Sequence, residues 1–365
     1  MKKRFESIQV LRAVAAILVA LFHAQNQAAI YCDKLGLPPA YLNIIPSIRG
    51  FGAYGVDIFF VISGFIMAYV TRNKRGSFSY TSVFLKKRFI RIVPIYWIWT
   101  TLFVVLLLAA PGLFRNSVFE LRGTVMSYLF LPYTPAGSYN SPVLPVGWTL
   151  WFEMYFYILV AVGLVFRERT FFILLGLFFA FSIFIGPHIP IQGRGIWMMT
   201  SPQLLEFWSG FGLGVFFASG IRLPAWSASA VLVGCAAAYG LWMVQGNIHL
   251  GIPSFLLVAG FVLLEMRRER RYPRFLVAIG DSSYSLYLTN FFVGPAVTKA
   301  LMLSGFAGLV PPDLYIIFTT LLCIAFGHIS YLLLEAPITS FLTRRFFSPV
   351  PATPNCIAGK KRPAR

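Results

Sequence analysis

The sequence predicts an all-α, polytopic integral membrane bundle of about ten helices with both termini cytoplasmic. Three observations carry that prediction. Hydrophobic residues make up 58% of the 365-residue chain against 12% charged, and the mean hydropathy of +0.74 lies far outside the soluble globular range. Nearly the whole chain divides into apolar stretches near the ~20 residues that a bilayer crossing needs. The basic residues, which bring the net charge to +19, gather in alternate connecting segments.

In order, the spans are read at 8–30, 50–70, 91–110, 147–166, 171–187, 203–219, 225–244, 249–266, 283–303 and 313–335. The first follows MKKR with no small-residue cleavage site behind it, so it reads as an uncleaved helix rather than a signal peptide. The fifth and sixth are short and rich in glycine and proline. The spans form one membrane domain over 1–345, with no room for a soluble one. Residues 346–365, proline-containing with a basic end, read as a disordered cytoplasmic tail. Cys32, Cys235, Cys323 and Cys356 have no paired spacing and suggest neither disulfides nor a metal site.

Charge distribution sets the orientation and excludes a function class. With the N-terminus inside, the inner segments hold Arg72, Lys74, Arg75, Lys86, Lys87, Arg88 and Arg91, then Arg267, Arg268, Arg270, Arg271 and Arg274, among others. The outer segments carry Lys34, Arg49, Arg115, Arg122 and Arg194, with Lys299 near a helix end. This is the positive-inside pattern. The excess charge is accounted for by topology and anionic lipid, not by a nucleic-acid partner.

The first span, IQVLRAVAAILVALFHAQNQAAI, carries Arg12 and His23 eleven positions apart. That interval returns to nearly the same helix face after a rise of roughly 16 Å. By the expected topology His23 lies in the outer third. Asp57 in GFGAYGVDIFFVISGFIMAYV and Glu153 in GWTLWFEMYFYILVAVG lie at a similar expected depth on two other spans. Ionisable groups at membrane depth face the bundle interior and meet partners. A histidine polarised by a carboxylate suits general-base catalysis; the structural alternative is a network tying three helices together. Depth matching favours the catalytic reading.

At the opposite surface, SFSYTSVFLKKRFIRIVPIYW reads as an interfacial helix that turns into the membrane at Pro94. Arg88 and Arg91, three apart, share one face. Paired arginines grip phosphates in a forked geometry, and Arg12 is expected at the same level, although positive-inside signalling also explains these charges. Ser63 and Gly64 in VISGF read as close helix packing rather than as a nucleophile. His328 reads as a helix–helix contact, and Glu335, beside Pro337, as a cap or pin for the last span. Tyr128, Tyr133 and Tyr139 have the chemistry to stack on sugars, though an interfacial aromatic belt explains them more simply.

Arg12 with His23, GVDIFFVISGFIM, the RFIR of 88–91, GWTLWFEMYFY and GDSSYSLYL occur in an order that resembles the membrane acyltransferase-3 family, in particular its branch acetylating bacterial exopolysaccharide or lipopolysaccharide. The resemblance runs from Ile8 to about Pro337. It implies an O-acyltransferase of the bacterial inner membrane with a cytoplasmic acyl-CoA donor, usually acetyl-CoA, and no metal. It implies an acceptor hydroxyl on a polysaccharide or lipid-linked sugar. His23 matches the family's essential histidine, and Arg88 and Arg91 its arginine pair. On that reading His23 is general base or transient acyl carrier, with Glu153 or Asp57 setting its tautomer. Arg88, Arg91 and Arg12 hold the donor phosphates, and Tyr287 and Asn290 bind substrate. Direct and two-step transfer both remain open, as does oligomeric state. One departure stands out: Asn290 occupies a position where relatives often carry histidine, and it cannot titrate. The competing class is a proton-coupled secondary transporter or glycan flippase, which predicts inverted repeats that the sequence does not display.

Overall fold

The structure, a computed structural model, describes residues 5–44, 52–72, 74, 78–110, 119–133, 142–189, 193–221, 223–245, 251–267 and 271–347. The expected tail from 348 onward and Cys356 lie outside the described residues. Among the described residues there is no strand. Apart from the single turn Tyr41–Ile44 and short 3-10 segments, the helices are α1 (Glu6–Leu35), α2 (Tyr54–Thr71), α3 (Phe78–Ala109), α4 (Leu121–Tyr128), α5 (Trp148–Gly163), α6 (Glu168–Ile185) and α7 (Arg194–Met199). They continue with α8 (Leu204–Ala218), α9 (Ser227–Gln245), α10 (Gly251–Arg267), α11 (Arg274–Asp281), α12 (Ser283–Ser304), α13 (Pro312–Ser330) and α14 (Ala336–Phe347).

The fold is an all-α polytopic membrane bundle. Among the described residues, seven helical runs are long and apolar enough to cross a membrane. The other three expected spans are also helical, as α8, α9 and α10. Of these, α8 has 15 residues and α10 has 17, which at about 1.5 Å per residue falls short of a ~30 Å hydrocarbon core.

α1 sits at the centre, touching α2, α10, α11, α12 and α13. Its alanines explain how: Ala13, Ala15, Ala16, Ala20, Ala24 and Ala28 are all buried, and small side chains let helix axes approach where lipid offers no hydrophobic drive. The start of α1 is pinned by polar contacts: the Ser7 hydroxyl donates to Glu265, and Glu6 accepts from the Tyr272 backbone at 3.0 Å.

α2 and α8 form the closest pair. A Cβ on Gly210 would strike the Val61 carbonyl, and one on Gly214 would meet Ala68 and the Phe65 carbonyl. Residue numbers rise together along both helices, so they run parallel, with Gly210 and Gly214 in small-xxx-small spacing. Gly64, expected to serve packing, lies against the backbone of Phe207.

The structure corrects two expectations about helix ends. The interfacial helix and third span are one 32-residue helix running through Pro94. The proline costs the hydrogen bond to the Ile90 carbonyl, a loss that membrane helices absorb. The last span continues past Glu335 into α14 through a π turn, Tyr331–Glu335. Pro337 has no N–H to give Leu333, and the wider turn falls where the regular ladder is interrupted.

The segment before α5 sets the level at which that helix starts. Leu144 and Val146 are fully buried, and the Val143 backbone donates to Ser127 Oγ at 2.7 Å. The chain therefore dips into the bundle ahead of α5, which begins at depth rather than at a surface.

Candidate active site

The end of the bundle at which α1 begins contains a cavity of about 160 Å³ lined by residues of α1, α2, α3, α5 and α12. Arg12 comes from α1, and Arg88 and Arg91 from the first half of α3, so the three expected cations converge on one space. Glu153 is the carboxylate in its lining, which leaves a net of two positive charges at the wall. Arg88 is wedged between aromatic faces, its Cζ 5.7 Å from the Phe84 ring and 5.9 Å from that of Tyr157. Arg12 reaches Gln9 Oε1 at 3.3 Å and lies in the field of Arg91, Glu335, Asp281 and Glu153. A charge at this depth is sustained only by such partners or by water.

The wall also holds unspent hydrogen-bonding capacity. Ser63 Oγ, Ser283 Oγ and Arg88 Nε are buried and have no partner, and all three residues line the cavity. Buried polar atoms are nearly always satisfied, so a cluster of unsatisfied ones marks a place built for a ligand or water. The phenols are otherwise engaged: Tyr284 donates to the Ile92 carbonyl at 2.9 Å, and Tyr287 to the Val146 carbonyl at 2.7 Å, with Thr149 Oγ1 at 2.8 Å. These bonds fix α12 against α3 and α5.

The expected layer of His23, Asp57 and Glu153 is not assembled. Glu153 accepts from Tyr157 and belongs to the arginine cluster, because α5 starts below the surface from which its depth was counted. Asp57, near the start of α2, faces Glu206 near the start of the parallel α8. His23 is half-buried, its ring 5.5 Å from Phe22 and 6.1 Å from Phe291, and it lies outside the cavity lining. Phe291 follows the cavity's Tyr287 by one turn of α12, so His23 stands about one turn beyond the cavity. Asn290 is buried with Nδ2 on the Tyr287 carbonyl at 3.1 Å and Oδ1 unpartnered.

Several participants escape a reading of the sequence alone. Glu335 is buried and accepts from the Ser285 backbone at 3.1 Å and hydroxyl at 2.7 Å, in the field of Arg91 and Arg12. It pins the start of α12 as well as its own helix. Its signal is a carboxylate ending the apolar run YLLLE, which proximity to Pro337 disguises as a cap. Glu206, within LLEFWSG, carries the same signal. His328 does contact a neighbouring helix, with Nδ1 3.3 Å from Ser282 Oγ. Among the described residues no His, Cys, Asp and Glu cluster could hold a metal ion.

A protein-family model described as an acyltransferase domain matches residues 5–332, which takes in every helix that lines the cavity. The chain belongs to the acyltransferase-3 family. It is similar to the exopolysaccharide production protein ExoZ of Rhizobium meliloti (strain 1021), with 36% identity over 296 residues, 79% of this chain and 89% of that protein. It is also similar to the acyltransferase MdmB of Streptomyces mycarofaciens, with 26% identity over 323 residues, 80% of this chain and 79% of that protein. No solved structure matches significantly. Acyltransferase membership thus joins a multi-pass membrane bundle to a half-buried cluster of arginines.

Proposed function

We propose that this chain is an O-acetyltransferase of the bacterial cytoplasmic membrane, crossing it ten times with both termini cytoplasmic. It moves the acyl group of cytoplasmic acetyl-CoA, or another acyl-CoA, to a hydroxyl of a surface polysaccharide or lipid-linked sugar. The observation that carries this reading is the convergence of Arg12, Arg88 and Arg91 on one cavity with unpartnered hydroxyls in its wall. Its arginines lie at the end that the basic residues assign to the cytoplasm. The similarity to an exopolysaccharide production protein supports a polysaccharide acceptor.

The cavity's size bears on how the donor binds. At about 160 Å³ it is below the usual ligand-pocket range and suits a thin acyl-bearing arm, while the phosphate-rich head stays at the arginines. The arm passes Tyr287 to bring its thioester toward His23. There the imidazole takes the proton of the attacking hydroxyl; the hydroxyl oxygen bonds to the acyl carbon, the carbon–sulfur bond breaks, and the proton goes to the leaving thiolate. A short-lived acyl-histidine is the two-step variant. Glu153, set among the arginines, holds their geometry, and Tyr287 and Asn290 shape the passage.

The test is transfer of radiolabel from acetyl-CoA to deacetylated cell-envelope polysaccharide by the purified protein in lipid. Label in the polysaccharide, lost in His23→Ala, supports the reading. Passage of unmodified solute across the bilayer with no label transfer would replace it with the transporter class.

A further inference from the structure

At the end of the bundle opposite the arginine cavity, a cleft of about 790 Å³ opens between Pro132 and Tyr133 on one side and residues of 186–189 and 193–200 on the other. Its size lies inside the range of ligand sites. Two features set it apart from a gap between loops. Trp197 lines it while 39% exposed, and the same indole is seated against Trp148 at 6.1 Å and Phe152 at 5.5 Å. It is therefore a ring held from behind with area left over. Arg194 also lines the cleft, with its Cζ 5.5 Å from the Trp197 ring, so a half-buried cation and an aromatic face are presented together. Across the cleft Tyr133 is held by its hydrogen bond to Glu120 at 2.9 Å.

Packed rings fill the space between the cleft and the cavity. Behind Trp197, Trp148 meets Phe60 at 6.4 Å, and Phe60 lines the arginine cavity, as does Thr149, the residue after Trp148. A column of three packed rings, Trp197, Trp148 and Phe60, thus spans the interval between the two sites.

We propose that this cleft binds the acceptor and selects a carboxylate-bearing polysaccharide, with Trp197 as the platform for a sugar ring and Arg194 as the fork for the carboxylate. The apolar C–H face of a pyranose suits an indole, and a planar guanidinium matches a carboxylate better than a hydroxyl. An interfacial belt residue would account for one exposed aromatic; it does not account for an arginine set over the same ring inside a cleft of this volume. This assignment rests on the acyltransferase reading and names the chemistry of its acceptor.

The test uses the full chain in zwitterionic phosphatidylcholine nanodiscs, where no anionic headgroup competes. The probe is fluorescently labelled, deacetylated polysaccharide from the host cell envelope, before and after carbodiimide–borohydride reduction of its carboxyl groups. The wild-type chain is expected to bind the unreduced polymer at least about tenfold more tightly, the worth of one charge-assisted contact. Arg194→Gln should remove that preference, and Trp197→Ala should weaken binding of both forms. Acetyl-CoA affinity should stay unchanged in both variants, which also reports that they fold. Equal affinity of the wild-type chain for the two polymers overturns the proposal without relying on any variant. Carboxylate-selective polysaccharide binding by a wild-type chain that transfers no label would instead remove the acyltransferase reading and leave the cleft's chemistry standing.

Discussion

Replacing Arg88 and Arg91 together by alanine strips the cavity of two of its three cations. Arg12 then faces Glu153 alone in the lining, and the net positive charge that draws a polyanion falls to zero. A hydrogen bond to a charged group contributes about 1.5–3 kcal/mol. Two lost at the lower figure give about 3 kcal/mol, or roughly a hundredfold weaker donor binding at 1.4 kcal/mol per decade. Calorimetric titration of acetyl-CoA into the protein in nanodiscs measures this directly. The substitution should not impair insertion, since it removes half-buried charge rather than stranding it, and Phe84 and Tyr157 remain to close the gap. Donor affinity within twofold of wild type would refute the assignment of the arginine cluster to the donor.

Other consequences are equally direct. His23→Ala should abolish transfer while leaving acetyl-CoA affinity intact, because His23 lies beyond the cavity lining; lost affinity in equilibrium dialysis would place the ring in the donor site instead. Glu335→Ala leaves the Ser285 N–H and hydroxyl without their acceptor, at a cost of about 2–4 kcal/mol, read as a lower thermal-aggregation midpoint; an unchanged midpoint would mean that water replaces the carboxylate. Gly210→Val drives a side chain into the Val61 carbonyl and should abolish the monodisperse peak in fluorescence-detected size-exclusion chromatography. Asn290→His introduces a titratable group at a buried position whose Asn290 Oδ1 has no partner; the turnover number for label transfer should rise, and an unchanged value would limit position 290 to packing.

The helices are largely legible in the sequence because apolar stretches of membrane length have few alternative uses. The convergence of Arg12, Arg88 and Arg91 is legible too, since two helix starts and a face periodicity place them at one level. The level of Glu153 is not: counting from Gly147 treats that residue as a surface position, whereas Leu144 and Val146 are already in the core. A connecting segment that folds back into the bundle leaves no periodicity by which to detect it. Pro94 has the local chemistry of a boundary, yet neighbouring helices let α3 pass through it. Depth alone pairs Asp57 with His23, but a helix contact made through glycines carries no charge pattern to announce it. The parallel, glycine-mediated packing of α2 and α8 gives Asp57 Glu206 instead.

The central claim is that donor and acceptor approach from opposite ends of the bundle, the donor at the arginines and the acceptor at the cleft beside Trp197. It is tested most directly in right-side-out membrane vesicles with radiolabelled acetyl-CoA sealed inside and deacetylated polysaccharide added outside. The account predicts labelled polysaccharide in the external medium, and none when the labelled acetyl-CoA is supplied outside to vesicles empty of it. Label that appears only when both are on the same side would contradict it.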